Sequence, residues 1–556
     1  MKITKIFLGC LLLTSVFVGC DITNLNDNPN EPTGDVDYNM NNSRLASVFR
    51  TSMPAIEGDD EQRVKSLMVD FYSQMLEGGN FTTKNYQMNE DWQQRLYRRI
   101  QSPVAQLNIV IRNLSEESPD LYANSIAVAK IWRVYVQSQG VDCFGPIPFA
   151  PYSEVVDNPP YKSVEDSYKE FFKELEEAAA LLGKAGSKPI FTASNYDIIY
   201  ANDVAKWKKF ANSLRLRLAL RLSEVNSNLC SEQAKAAIAA GVLDSPADNA
   251  YLPPKANGDW GQDYNYTMFQ ISWGGPLMMT TSFEKLLTGI GGFDWPTGVS
   301  NKRAALNAGT ATPVSTVHPV KVDPRGPVMF DPGYENGDWK GIPAGLPSNE
   351  YGTGQYKTVL YSELGILIQA GAPYKARPYD LFLYEEVCFL KAEAALRGFI
   401  TGNAKEEYEK GVKASFTTWG VSGVTEYLTS MDKNQAGTSA KFEDIAGAGN
   451  TQLEKIITQK YFALFPDMSM EAWNDKRRLN LPRMDVPVLR DQLLYNNSDK
   501  DIKKPANFIR RVQYPQNEIQ INKTEYDKGV QLLGGKDNVS TSIWWDKQAN
   551  YCTSAN

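Results

Sequence analysis

Between residues 203 and 222 the chain reads DVAKWKKFANSLRLRLALRL, and Val204, Trp207, Ala211, Leu214 and Leu218 recur at steps of three and four. Apolar positions at that spacing share one side of a 3.6-residue helix, so the stretch predicts an amphipathic helix, with Asp203 as its N-cap. Lys206, Lys208, Lys209, Arg215 and Arg217 occupy the remaining positions and are expected to form a solvated face with local ion pairs, not a phosphate-binding surface. Similar patterns predict helices near 43–55, 61–77, 92–113, 121–139, 164–183, 231–240, 276–288, 379–397, 404–418 and 451–464. The stretches 241–275, 291–378 and 480–520 carry no lasting period and are rich in Gly, Pro, Asn and aromatic residues. Loops that long in a compact protein are usually functional or pinned to the scaffold.

One helix pair is more specific. In FLKAEAALRGFITGNAKEEYEKGVKASF, residues 389–416, small residues fall at Ala392, Ala395 and Gly398, and the spacing returns as Ala404, Tyr408, Gly411 and Ala414. This looks like a tetratricopeptide-type hairpin, whose small residues let two helices cross closely. Such pairs stack into a superhelix with a concave face. The first helix also carries Glu386 and Glu393 two turns apart. Paired carboxylates serve glycosidases, but here the expected role is structural, bonding packed helices together.

The N-terminus has a different pattern. Lys2 and Lys5 precede an uncharged run from Ile6 to Val18, followed by Gly19-Cys20 and then the polar stretch DITNLNDNPNEPT. The run has the length of a signal-peptide core and falls short of the roughly 20 apolar residues of a membrane span. A small residue before a cysteine resembles the lipobox of bacterial lipoproteins, in which the cysteine becomes the acylated first residue. The expected organisation is a leader over 1–19, lipidation (palmitate) at Cys20, a flexible tether over 20–34 and one folded domain over 35–556. Such a protein is held on a membrane without spanning it.

Composition removes several function classes. The 556 residues are 42% apolar and 22% charged, as in ordinary globular proteins. The formal charge of −7 becomes −9 once Lys2 and Lys5 leave with the leader, which disfavours nucleic acid as a partner. After Cys10 and Cys20, the cysteines Cys143, Cys230, Cys388 and Cys552 are far apart, compatible with disulfides but without metal-like spacing. His318 is the single histidine, so a His-rich zinc site is excluded, as is any Ser-His-Asp triad that does not use it. No G-x-S-x-G, phosphate-loop or EF-hand pattern occurs. No catalytic residue, metal or cofactor is expected.

Eight segments in order then resemble one family: LNDNPNEPT (25–33), DCFGPIPFAP (142–151), YKSVEDSYKEFFKELEEA (161–178), YANDVAKWKKFANSLRLRLALRLS (200–223), VDPRGPVMF (322–330), LYEEVCFLKAEAALRG (383–398), EAWNDKRRLNLPR (471–483) and RVQYPQNEIQIN (511–522). Each is weak alone; together, behind a lipobox, they resemble SusD/RagB-type nutrient-binding lipoproteins, and most of all the SusD-like, starch-binding-associated subgroup. The resemblance implies a mainly α fold, with tetratricopeptide-like hairpins in a right-handed superhelical scaffold and long irregular loops on one side. It also implies a lipid-anchored outer-membrane protein facing the cell exterior. Its partner would be a SusC-like TonB-dependent barrel that it covers as a hinged lid, delivering an oligomeric nutrient for import.

A binder of that kind needs flat apolar faces and directional polar groups. Sugar C–H faces stack on Trp and Tyr, and hydroxyls bond to Asn, Asp, Gln and Arg. Peptide cargo would instead need backbone-pairing groups. The densest candidate is DWGQDYNYTMFQISW (259–273), with Trp260, Tyr264, Asn265, Tyr266 and Trp273. The second is GGNFTTKNYQMNEDW (78–92), with Asn80, Phe81, Tyr86 and Trp92, and the third FDPGYENGDWKG (330–341), with Tyr334 and Trp339. In a chain with 11% aromatics most such rings are core residues. Asp475, Lys476, Arg477 and Arg478 are expected to pair at a helix end. The aromatic loops lean to an oligosaccharide, with oligopeptide cargo open. A surface glycosidase and a ligand-free helical scaffold are the readings from other classes.

Overall fold

The structure is a computed structural model, and it describes residues 34–53, 60–253, 277–302, 314–365 and 378–556. Helix α1 (Gly34–Thr51) is followed by a π-helix (Glu61–Val69), strand β1 (Leu76–Glu77) and the long helices α2 (Glu90–Glu117) and α3 (Ala123–Phe144). A short hairpin of β2 (Ile147–Pro148) and β3 (Tyr161–Lys162) leads into α4 (Val164–Leu181), α5 (Val204–Arg221) and α6 (Ser227–Ala240). Then come β4 (Ala250–Leu252), β5 (Met278–Met279), α7 (Thr281–Leu287), β6 (Phe330–Asp331), β7 (Glu363–Leu364) and β8 (Tyr379–Phe382). The remainder is again helical: α8 (Tyr384–Leu396), α9 (Ala404–Thr418), α10 (Gln452–Leu464), α11 (Ser469–Leu479), α12 (Gln516–Ile521) and α13 (Lys523–Leu533).

Successive helices pack in pairs, α2 on α3, α5 on α6 and α8 on α9, with α3–α4, α4–α5, α5–α8 and α8–α10 contacts joining the pairs. This is the mainly α, tetratricopeptide-like scaffold. Its helix starts are coded locally. Asp203 Oδ1 accepts from the Lys206 amide at 3.0 Å, Asn403 caps α9, and Thr451 and Glu454 form a reciprocal capping box on α10. The hairpin's small residues serve the crossing: a Cβ on Gly411 would sit 2.7 Å from the Phe389 ring.

The basic face expected on α5 is only half solvated. Lys208 is exposed and Lys206 and Lys209 are partly so, but Arg215 and Arg217 are buried. The reason lies on other helices. Arg217 grips Glu386 of α8 through Nε (2.8 Å) and Nη2 (2.6 Å), and Arg221 donates to Glu471 of α11 at 2.6 Å. Arg478 of α11 reaches Glu393 Oε2 at 2.6 Å, and Lys460 of α10 meets Asp475 at 3.0 Å. Asp142, in the last turn of α3, accepts from Trp545 Nε1 (2.8 Å) and Tyr168 OH (2.6 Å) and faces Arg221 at 3.3 Å. An ionic seam thus runs through the interior where the helices meet. Glu386 and Glu393 are consumed by it, so neither faces a substrate.

Four expectations need correction. Residues 379–382 form strand β8 on β4, not the first turn of a helix, because Tyr379 pairs with Leu252 and Phe382 with Ala250. The expected 61–77 helix is a π-helix that ends before β1, and 276–288 divides into β5 and the shorter α7. Helix α12 begins inside the 480–520 stretch expected as loop, whereas the last turn of α11 carries the expected pairing, Asp475 with Arg478 and with Lys460. Cys143, Cys230, Cys388 and Cys552 are buried free thiols. Among the described residues no helix is long and apolar enough to cross a membrane. No group of three or more His, Cys, Asp or Glu among them is placed to hold a metal ion.

Candidate functional site

Four two-residue strands from distant parts of the chain form one antiparallel sheet in the order β1-β5-β7-β6. Leu76 pairs with Met279, Met278 with Glu363, and Phe330 with Leu364. Strands this short show no alternation, so the pattern of residues gives no warning of them. Met278, Ile342, Leu346, Tyr351 and Tyr361 make a small apolar cluster of their own here. The sheet gathers two of the candidate loops: 78–92 leaves β1 and 332–341 leaves β6. Asn301 Nδ2 donates to Pro332 O and Glu363 Oε1, both at 2.7 Å, and so ties the start of the third loop to β7.

Charge lies under this face. Glu77 is buried, and burial pushes its carboxyl up to about 7 against the pull of Lys84. Burial brings Lys84 down to about 8; its Nζ donates to Gly79 O at 3.2 Å and lies 3.7 Å over the Tyr351 ring. On β6 burial pushes Asp331 up to about 6, opposed by Lys302 at 3.1 Å.

The residues singled out from the sequence separate by direction. Asn80 is exposed, and its Nδ2 donates to Ser348 O at 3.1 Å. Phe81 is half-buried, its ring edge-on to Trp92 at 5.0 Å. Tyr86 is 1% exposed and packs between Tyr72 and Tyr495, at centroid distances of 6.1 and 5.5 Å. It ends the turn Thr82–Asn85 with a left-handed φ of 66°, which sends the ring inward. The expectation that Tyr86 contacts ligand is therefore corrected: it is a core residue beneath the loop. Trp92 and Trp339 are internal as well; Trp339, 1% exposed, donates Nε1 to Phe330 O at 3.1 Å. Trp260, Tyr264, Asn265, Tyr266 and Trp273 lie outside the described residues, as does Cys20.

Loop 78–92 also walls a cleft of about 550 Å³, with Gln87, Met88 and Glu90 on one side and Asp491, Gln492 and Leu493 on the other. Asn85 Nδ2 joins the walls, donating to Gly345 O at 2.8 Å and to Leu489 O, 404 residues away in sequence, at 3.0 Å. Gln516, also on the cleft, donates its backbone N–H to Glu90 at 2.6 Å, and Leu493 is 93% exposed at the rim. Amides both donate and accept, carboxylates accept, and Met88 and Leu493 add apolar surface. Arg490 adds a cation to the same lining, beside Glu90 and Asp491. Sequence reasoning missed the 489–493 wall, which carries no aromatic cluster and joins the loop only through tertiary contact.

The comparisons agree with this architecture. The SusD-like family described as starch-binding and associating with the outer membrane matches residues 38–515. The crystal structure of a SusD homologue from Parabacteroides distasonis superposes with a TM-score of 0.89 at 57% identity, covering 93% of this chain and 100% of that one. A chitin-binding SusD homologue from Flavobacterium johnsoniae has a TM-score of 0.71 at 24% identity, covering 92% and 100%. A SusD homologue from Bacteroides vulgatus has a TM-score of 0.72 at 22% identity, covering 92% and 98%. These two share the fold. No functionally curated protein matches the chain.

Proposed function

The chain belongs to the SusD-like family of outer-membrane-associated, glycan-binding proteins, which bind and do not catalyse, and on that footing we propose that it is the nutrient-capturing lid of a SusC-like TonB-dependent transporter. In this reading residues 1–19 are removed, Cys20 carries the lipid, 20–34 tether the protein to the outer face of the outer membrane, and 35–556 bind cargo. The cargo is an oligosaccharide. The observation that carries the reading is the convergence of loops 78–92 and 332–341 on the β1-β5-β7-β6 sheet, with loop 78–92 walling a cleft that carries several side-chain amides. Directional amides next to apolar surface match sugar hydroxyls and C–H faces.

Calorimetry tests it, using the mature chain without Cys20 against a panel of neutral oligosaccharides and a tryptic peptide pool. The expected result is saturable heat with one glycan class, lost in Trp260→Ala or Tyr266→Ala. Heat from the peptide pool alone moves the cargo to oligopeptides. Co-purification of the lipidated protein with a β-barrel of the outer membrane tests the lid; a protein that purifies alone from mild detergent overturns it.

A further inference from the structure

Away from the sheet, the β2–β3 hairpin closes a cavity of about 330 Å³ against α3 and α4. Phe149, Pro151 and Tyr152 form its apolar wall, and Arg133, Lys162, Glu170 and Glu174 bring charge into it. Arg133 is fully engaged: Nε donates to Asn108 Oδ1 at 2.7 Å, Nη2 to Ala150 O at 2.9 Å, and Nη1 to Glu174 Oε1. Glu174 is buried, and its second oxygen, Oε2, has no hydrogen-bond partner among the described residues. A buried carboxylate oxygen without a donor is costly unless something else supplies one. Lys162 Nζ is held 3.7 Å over the Phe149 ring and only 3.9 Å from Glu170, a loose pair with both partners partly open to solvent. Lys130, behind the wall, bonds the Tyr152 hydroxyl at 3.0 Å and Glu177 at 2.7 Å.

Two cations and two carboxylates line the cavity, so its net charge is zero and it selects neither anions nor cations. What it offers is a dense set of acceptors and donors beside an apolar wall, in a volume near the lower end of the roughly 300–1,000 Å³ of small-molecule sites. We propose that this cavity is a second binding site, separate from the loop face, that takes a single sugar ring or a comparable small neutral polyol. Hydroxyls donate to Glu174 and Glu170 and accept from Lys162 and Ser153, while the C–H face meets Tyr152 and Pro151.

The test is saturation-transfer NMR with calorimetry on the full mature chain, using glucose and N-acetylglucosamine as neutral probes, glucosamine as the amine and glucuronate as the acid. Ser153 is exposed at the mouth, so Ser153→Trp obstructs the cavity without touching its buried pairs. Glu170→Gln removes one acceptor charge. The neutral sugars are expected to bind saturably, and Ser153→Trp and Glu170→Gln to weaken them by about tenfold or more with unchanged melting temperature. Asn80→Ala and Trp260→Ala, at residues that do not line the cavity, are expected to leave this binding intact. No saturable signal from any probe overturns the proposal, as does a signal kept in Ser153→Trp but lost in Trp260→Ala. Tighter binding of glucosamine or glucuronate overturns the neutral ligand class.

Discussion

In the helical scaffold, Glu393 and Asp475 are fully buried, yet burial does not set their state: Arg478 stands against both, Lys460 adds to Asp475, and each carboxyl is held below its ordinary range. On the loop face, Glu77 and Asp331 are as deeply buried, each has a single lysine nearby, and burial wins, lifting them to about 7 and about 6. The contrast teaches where each region gets its order. At Glu393, Asp475 and Glu471 the scaffold is cross-linked by ions that bind one another from different helices, while at Glu385 and Asp142 burial outweighs the neighbouring charges. The face is an apolar patch with poorly compensated charge beneath it, a region that gives way locally before the scaffold does.

The largest effect expected from this contrast is in the scaffold. Glu393→Ala leaves Arg478 buried with Asp475 as its remaining acid, and stability should fall by roughly 3–5 kcal/mol in urea denaturation. Replacing the pair, Glu393→Leu with Arg478→Met, should recover most of that loss, since apolar packing can substitute for a buried ion pair. A cost below about 1 kcal/mol for the single variant would mean that the seam is not what joins α8 to α11.

The next effect is one of pH, and its sign differs between Glu77 and Glu393. Glu77 stays neutral in the fold up to about pH 7 but ionises near 4.5 once unfolded. Its contribution to stability is therefore present below pH 4.5 and lost as pH rises through 7. Asp331 behaves likewise between 3.8 and about 6. Lys84 runs the other way at higher pH: its contribution is present above 10.5 and lost as pH falls through about 8. Glu393 contributes above 4.5 and is lost only in stronger acid. After correction for intrinsic rates, amides of residues 76–92 should exchange about tenfold faster at pH 7 than at pH 5, with no such change in α5, which carries no carboxylate of its own. Glu77→Gln should flatten the difference at 76–92. Equal pH responses in the two regions would break the comparison.

These contrasts also explain what was legible in the sequence. Helix α9 coincides with its expected bounds, 404–418, because its cap, Asn403, and its small-residue spacing are both local signals. Helix α11 showed no apolar stripe, because Asp475, Lys476, Arg477 and Arg478 are all buried there, and hydrophobic periodicity is blind to burial by ion pairing. Strand β8 needed β4, more than a hundred residues upstream, to declare itself. At the site, the density of aromatics located the loops but not the direction of each ring. Phe81 and Tyr86 lie five residues apart in one loop, and a single left-handed residue decides that Tyr86 faces inward.

Within the loop the effects become smaller. Phe81→Ala removes a half-buried ring from the edge of Trp92, so roughly 1 kcal/mol of stability is expected to go. The indole's emission should shift to the red as water reaches it. An unchanged spectrum would show that Phe81 does not cover Trp92 in solution.

The smallest change in stability belongs to Asn80. Its one bond, to Ser348 O, is exposed, so Asn80→Ala should cost no more than about 0.5–1 kcal/mol, near the limit of a denaturation curve. Its effect on cargo should be larger than its effect on the fold if the proposed site is right, because the same amide pins the loop to Ser348 and is exposed on the face proposed to take cargo. If Asn80 only positions the loop, Ser348→Pro, which disturbs the turn that carries the acceptor carbonyl and leaves the Asn80 amide in place, should weaken cargo as much as Asn80→Ala does. If Asn80 also bonds cargo, Asn80→Ala should be weaker than Ser348→Pro by a further factor of about five to ten, the worth of one hydrogen bond to a neutral hydroxyl. Affinities of the two variants for one oligosaccharide, measured side by side at constant pH, separate a loop that is merely held from one that holds.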